Sequence, residues 1–298
     1  MAWATGNHGQ AFAMPAHSRP AGSYSPFYTE TRRCGGDTAA SAGLLRALMN
    51  RRQFLATSAA AAAASNLSGA DAAGPLCYEL RVYYAAEGKL NALNERFRNH
   101  TCGLFTKHGI TNVGYWMPLE NPDRKIYYIL SYPSREARET SWKAFMQDAD
   151  WKKAFEESEK NGKLVAKAES TFLRTTDYSP AVKPAKHGPT CVYELRTYTA
   201  SPGNLERLND RFRKHTVTLF TKHGMEHFGY WSLDADQSGA ADTLLYILIH
   251  KSKDAMDASF KAFRTDPDWT AAREASEKAG GGSLTVKDGV KSVLMVPA

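Results

Sequence analysis

"NERFRNHTCGLFTKHGITNVGYW" occupies residues 94–116, and "NDRFRKHTVTLFTKHGMEHFGYW" occupies residues 209–231, 115 positions further on. Fifteen of the 23 positions are identical, without a gap. In each copy apolar residues and a histidine recur at helical spacing: Phe97, Leu104 and His108 in the first, Phe212, Leu219 and His223 in the second. Gly109 or Gly224 follows, placed for a left-handed C-terminal cap. The short aromatic runs "NVGYW" and "HFGYW" then read as strands. A helix and a strand have been duplicated together.

The duplication extends both ways. Upstream, "YELRVYY" (78–84) and "YELRTYT" (193–199) predict an opening strand. Alternation puts Tyr78, Leu80 and Val82 on one face and Glu79, Arg81 and Tyr83 on the other. Downstream, "KIYYILSY" (125–132) and "TLLYILIH" (243–250) predict a third strand. Here the offset has grown to 118, so three extra residues fall in the second copy's hairpin loop, around 236–241. Loops tolerate such changes of length.

Next, "SWKAFMQDADWKKAFEESEK" (141–160) and "SFKAFRTDPDWTAAREASEK" (259–278) predict two helices each, broken at Asp148 or Asp266. Pro267 after Asp266 fits an N-cap followed by the first helical position. "STFLRT" and "KSVLMV" predict a closing strand.

Each copy is therefore β-α-β-β-α-β, a ferredoxin-like unit whose sheet carries helices on one face only. A lone unit would leave its other face wet, at about 25 cal/mol per Å² of apolar area. Two units can lay those faces together and close a barrel, which also protects strand edges. The predicted class is α+β: tandem ferredoxin-like units over residues 76–178 and 190–298, joined by a linker, "SPAVKPAKHGP", at 179–189.

"YELRxY" at the start, "KHG…GYW" across the first helix and second strand, and "DxDW" at the late helix, in that order and twice over, resemble the NIPSNAP family. The resemblance spans both copies. It implies an intrachain dimeric α+β barrel and brings no settled activity or catalytic residue with it. The second copy departs at its end, where "LMVPA" lacks the polar tail "RTTDYSP" of the first.

Residues 1–75 read differently. They predict a disordered extension carrying an export signal: Arg51-Arg52, Phe54-Leu55, an alanine run and Ala70-x-Ala72. Cleavage is expected near Ala72-Ala73, giving an exported, periplasmic or otherwise extracytoplasmic protein. Residues 1–48 read as an extension upstream of Met49. The apolar run is too short and alanine-rich for a stable membrane anchor. Without residues 1–72 the chain holds 32 basic and 28 acidic residues, about +4 and without a basic run, so no nucleic-acid partner is expected.

Cysteines exclude more than they suggest. Cys77, Cys102 and Cys191 follow Cys34 without CxxC spacing, so neither a zinc site nor a disulfide framework is predicted. A single Cys77–Cys191 bridge stays open, because both precede matching strands. No metal or cofactor is expected, and Gly280-Gly281-Gly282 lies after a helix and before a strand, the wrong order for a phosphate cradle.

Three groups of residues could carry chemistry. His108 and His223, in the last helical turn, are candidate general bases, although a histidine there also complements the helix end. His100 and His215 lie earlier on the same helix, where boundary hydrogen bonding competes with a base's role. Glu79, Arg81 and Tyr83, with Glu194, Arg196 and Tyr198, share strand faces; with Trp116 and Trp231 they are the candidate ligand-binding set. As buried charges they could equally form ion pairs that hold the halves in register. Three functions follow. The first is binding of a small, partly aromatic or acidic ligand in a barrel pocket. The second is cofactor-independent monooxygenase or isomerase chemistry with a histidine base. The third is an interaction module for protein or membrane surfaces. Self-association of the barrel is open.

Overall fold

The computed structural model describes residues 76–185 and 191–298. The predicted export signal, its cleavage site and linker residues 186–189 lie outside the described residues.

The first repeat runs β1 (Cys77–Ala85), α1 (Leu90–Arg96), α2 (Cys102–Lys107), β2 (Thr111–Pro118), β3 (Lys125–Tyr132), α3 (Arg135–Gln147), α4 (Ala149–Ser158) and β4 (Val165–Thr175). The second repeats it: β5 (Val192–Ala200), α5 (Leu205–Arg211), α6 (Val217–Lys222), β6 (Glu226–Leu233), β7 (Thr243–His250), α7 (Lys253–Arg264), α8 (Pro267–Ala279) and β8 (Thr285–Pro297). The strands close one antiparallel barrel in the order β1-β3-β2-β8-β5-β7-β6-β4.

The two repeats meet at two short seams. At one, Trp116, Met117 and Pro118 of β2 pair with Pro297, Val296 and Met295 of β8. At the other, Leu173, Arg174 and Thr175 of β4 pair with Leu233, Ser232 and Trp231 of β6. The barrel interior is a single apolar cluster drawn from both repeats, including Tyr78, Leu80, Trp116, Ile129 and Leu173 against Tyr193, Leu195, Trp231, Ile247 and Met295. Aromatic contacts cross reciprocally: Tyr78 meets Trp231 at 6.0 Å between ring centroids, and Tyr193 meets Trp116 at 5.4 Å. Each repeat thus covers the face its twin would leave wet.

The glycine of "GYW" has a local cause. A Cβ on Gly114 would lie 2.4 Å from the Trp116 ring, and one on Gly229 would lie 2.5 Å from the Trp231 ring. Each indole folds back flat over its own strand, and only glycine leaves room. The first part of the linker joins this core, with Val182 and Ala185 packed against the interior cluster and the Ala185 N–H donating to Val113 O at 2.7 Å.

The long helix read from periodicity is interrupted in both copies by a π-helical turn, Phe97–Thr101 and Phe212–Thr216. The wider turn drives Phe97 among Tyr83, Tyr115 and Tyr128 at 5.1–5.9 Å, and Phe212 sits likewise among Tyr198, Tyr230 and Tyr246. Thr101 and Thr216 hydroxyls donate to the carbonyls of Arg96 and Arg211, five residues back, where the ladder widens.

Candidate functional site

The predicted ligand-binding residues separate into two layers. Glu79, Arg81 and Tyr83 pair across β3 with Leu130, Tyr128 and Ile126, which face the helices. Their face is therefore the helix-covered one, not the barrel interior. Trp116 and Trp231 do point into the barrel, but as fully buried core. No barrel pocket walled by the whole set exists, because neighbours along a strand face opposite ways.

Under the helices these charges pair with one another, although Arg196 Nε is buried without a hydrogen-bond partner. Glu79 is wholly buried and accepts from Arg81 Nη1, from Arg138 Nε at 3.0 Å and Nη2 at 2.9 Å, from Tyr132 OH at 3.0 Å and from Ser170 Oγ at 2.6 Å. Burial alone would raise its carboxyl pKa, yet the Arg138 hydrogen bonds and the two guanidinium charges hold it at about 2. Arg81 also stacks on Trp142 of α3 at 4.4 Å. In the second repeat Glu194 accepts from Arg196 and from Ser292 Oγ at 2.7 Å, and meets His250 Nε2 at 3.1 Å. Met256 stands where the first repeat has Arg138, and burial of Glu194 is likewise outweighed, so its carboxyl stays below the ordinary value. Tyr83 and Tyr198 accept from Arg81 and Arg196 at 3.3 Å.

His108 and His223 sit at helix ends in the outer layer. His108 Nε2 lies 2.6 Å from Asp148 Oδ2, and His223 Nε2 lies 2.7 Å from Asp266 Oδ2. Lys107 and Lys222 reach the same oxygens at 2.8 Å. The other carboxylate oxygen caps the next helix, Asp148 Oδ1 accepting from Asp150 N and Asp266 Oδ1 from Asp268 N. Hydrogen bonds from the lysine, then the histidine, hold both aspartates well below the usual carboxylate range. "KHG" and "DxDW" therefore build one clamp between α2 and α4, repeated between α6 and α8. His100 and His215 lie in the π turns, and His100 lines a hollow of about 270 Å³ with Arg96, Asn99 and Glu157.

Cys77, Cys102 and Cys191 are free thiols. Among the described residues no three His, Cys, Asp or Glu side chains are grouped to hold a metal, and no helix is long and apolar enough to cross a membrane.

Open space lies instead at one seam. A groove of about 620 Å³ runs between the β2–β3 hairpin and β8, lined by Pro118, Leu119, Glu120, Tyr127, Val293 and Leu294, with Lys125 and Lys253 at its walls. The twin seam is filled. There the longer β6–β7 loop lies across β4: Gln237 Oε1 accepts from Phe172 N at 3.1 Å, and Arg135 bridges to Asp234 at 3.4 Å and Asp236 at 3.2 Å. The three-residue insertion that sequence comparison reads as loop variation is what separates a sealed seam from an open one. Lys253 and Leu294 carry no motif of their own, and only the shift in offset from 115 to 118 marks their neighbourhood.

The NIPSNAP family model matches residues 78–180 and 193–281, together more than half of the chain. No curated protein matches it. Among solved structures, a NIPSNAP family protein from Agrobacterium tumefaciens is 20% identical, covers 36% of this chain and 98% of its own, and has a TM-score of 0.33. An uncharacterised NIPSNAP-like domain protein from Burkholderia xenovorans is 15% identical, covering 38% and 96% with a TM-score of 0.33. A protein from Lactobacillus acidophilus, named provisionally as a monooxygenase, is 13% identical and covers 74% of this chain and 93% of its own, with a TM-score of 0.49.

Proposed function

This chain belongs to the NIPSNAP family, and from that premise we propose that it is a binding protein for a small ligand with an acidic group and a partly aromatic body, held in the open seam groove. The observation behind this is the asymmetry of the seams: one is filled by the chain's own acidic loop, while the other keeps about 620 Å³ beside Lys125 and Lys253. That volume is in the range of small-molecule sites. Tyr127, Pro118, Val293 and Leu294 offer an apolar wall, and the Lys253 ammonium offers a partner for a carboxylate.

Catalysis with His108 or His223 as base has less support, because each imidazole is tied to an aspartate that caps a helix. Export is part of the proposal: protein recovered from its own host should begin near Ala73, and an intact residue 1–72 segment would overturn that part alone.

The binding reading is tested by titrating aryl and alkyl carboxylates into the isotope-labelled full chain. Shifts should concentrate at Tyr127, Lys253, Val293 and Leu294, and Tyr127→Ala should weaken binding about tenfold, equivalent to about 1.4 kcal/mol. Shifts spread over the barrel surface, or none, contradict it.

A further inference from the structure

We propose that the natural occupant of the open groove is an acidic peptide turn; this rests on the ligand-binding reading above and names the ligand's class. The chain carries a template for this contact at its other seam. The same backbone bond starts both seams: Leu119 N donates to Leu294 O at 2.8 Å, and Asp234 N donates to Phe172 O at 2.9 Å. Leu294 and Phe172 are register equivalents, paired with Glu194 and Glu79.

Beyond that bond the seams diverge. At the filled seam the loop supplies two carboxylates to Arg135 and an amide oxygen to the Phe172 N–H. Arg135 also lies over the Phe172 ring, 3.2 Å from its centroid. At the open seam Leu119 and Asn121 stand where the longer loop has Asp234 and Asp236. Asn121 turns inward, accepting from Lys125 N at 2.6 Å and donating to Lys125 O at 2.9 Å. No counterpart of Gln237 reaches the Leu294 N–H, which points the same way as its carbonyl because both groups of a strand residue face one side. Lys253, the equivalent of Arg135, pairs with Asp257 one turn along its own helix, at 2.7 Å, and also feels the charge of Asp254.

The groove thus keeps the receiving half of a contact whose donated half is missing: a cation for carboxylates and a strand-edge N–H for a carbonyl. A turn such as Asp-x-Asp-Gln supplies both, as residues 234–237 do at the other seam, where Gln237 N donates to Asp234 O at 2.9 Å and the Gln237 side-chain oxygen meets the strand-edge N–H. Glu120 and Asp123 also line the groove, Asp123 paired with Lys125 at 2.8 Å, so an incoming carboxylate meets Lys253 in competition with Asp257.

The probe is the capped peptide DADQSGA, copied from residues 234–240, titrated into the full chain by calorimetry and by amide shifts. Binding should appear with shifts at Lys253 and Leu294, fall at least tenfold in Lys253→Glu, and vanish when residues 119–124 are replaced by residues 234–242. Thermal melts of both variants establish that they fold, and a peptide with Ala for both Asp should bind at least tenfold more weakly. Absence of peptide binding, or binding unchanged in the two variants, overturns the inference. Carboxylates that perturb the groove while the peptide does not would remove the peptide and keep the ligand site; silence from both would remove both.

Discussion

Gln237 accepts a hydrogen bond from the Phe172 backbone N–H at 3.1 Å, joining a loop of the second repeat to the last strand of the first. This side chain substitutes for a ladder partner at the filled seam. Gln237→Ala should leave Phe172 N–H exposed and cost about 1 kcal/mol in urea unfolding. A neutral result would mean that water replaces the amide without loss.

His227 and Asn112 occupy equivalent positions and make equivalent bridges. Asn112 accepts from Tyr115 OH and donates to Thr106 Oγ1 at 3.1 Å; His227 Nδ1 meets Tyr230 OH at 2.6 Å, and its Nε2 meets Thr221 Oγ1 at 2.8 Å. The parallel makes Nδ1 the acceptor and Nε2–H the donor, a neutral imidazole, in keeping with burial lowering its pKa. His227→Asn should therefore be tolerated within about 0.5 kcal/mol, whereas His227→Leu should cost roughly 1–3 kcal/mol by stranding the Tyr230 hydroxyl. Equal losses in chemical denaturation would refute the equivalence.

Gly114→Ala and Gly229→Ala should each force an indole off its strand. Overpacking of this kind costs about 1–3 kcal/mol, and tryptophan emission should shift as the ring moves. An unchanged melting temperature and spectrum would show that the rings have room the structure does not display.

Acid should loosen the first repeat through Glu79. Its folded-state pKa, about 2, lies below the ordinary carboxylate value, so the carboxylate contributes stability above the unfolded value near 4.3 that is lost as pH falls toward 2. The contribution is on the order of 3 kcal/mol. Stability measured across pH 2–6 should fall at the acid end, and Glu79→Gln, though less stable at neutral pH, should show a shallower slope. An identical slope would assign the acid sensitivity to other carboxylates.

Asp148→Ala should lower the melting temperature by several degrees, since one side chain caps α4 and anchors His108. His108→Gln, which keeps a donor there, should lower it less. The reverse order would place the clamp's strength in the imidazole.

Much of the fold was readable because it repeats. Two copies of one periodicity reveal strand and helix order, and the bare sheet face requires the closure seen between Tyr78 and Trp231. The π turns were not readable, because Phe97 and Leu104 keep helical spacing whether or not the ladder widens by one residue between them. Which face Glu79 and Arg81 occupy was not readable either. Alternation separates two faces without naming them, and Tyr78, Leu80 and Val82 fit a helix-covered sheet as well as a barrel lining. Lys253 and Leu294 escape notice because their role lies in what does not reach them.

One seam of this barrel stands open while its twin is filled, and amide hydrogen exchange distinguishes the two. The Leu294 N–H should exchange many times faster than the Phe172 N–H in the ligand-free protein, the difference vanishing when residues 119–124 are replaced by 234–242. Equal protection of the two amides in the unaltered chain would contradict it.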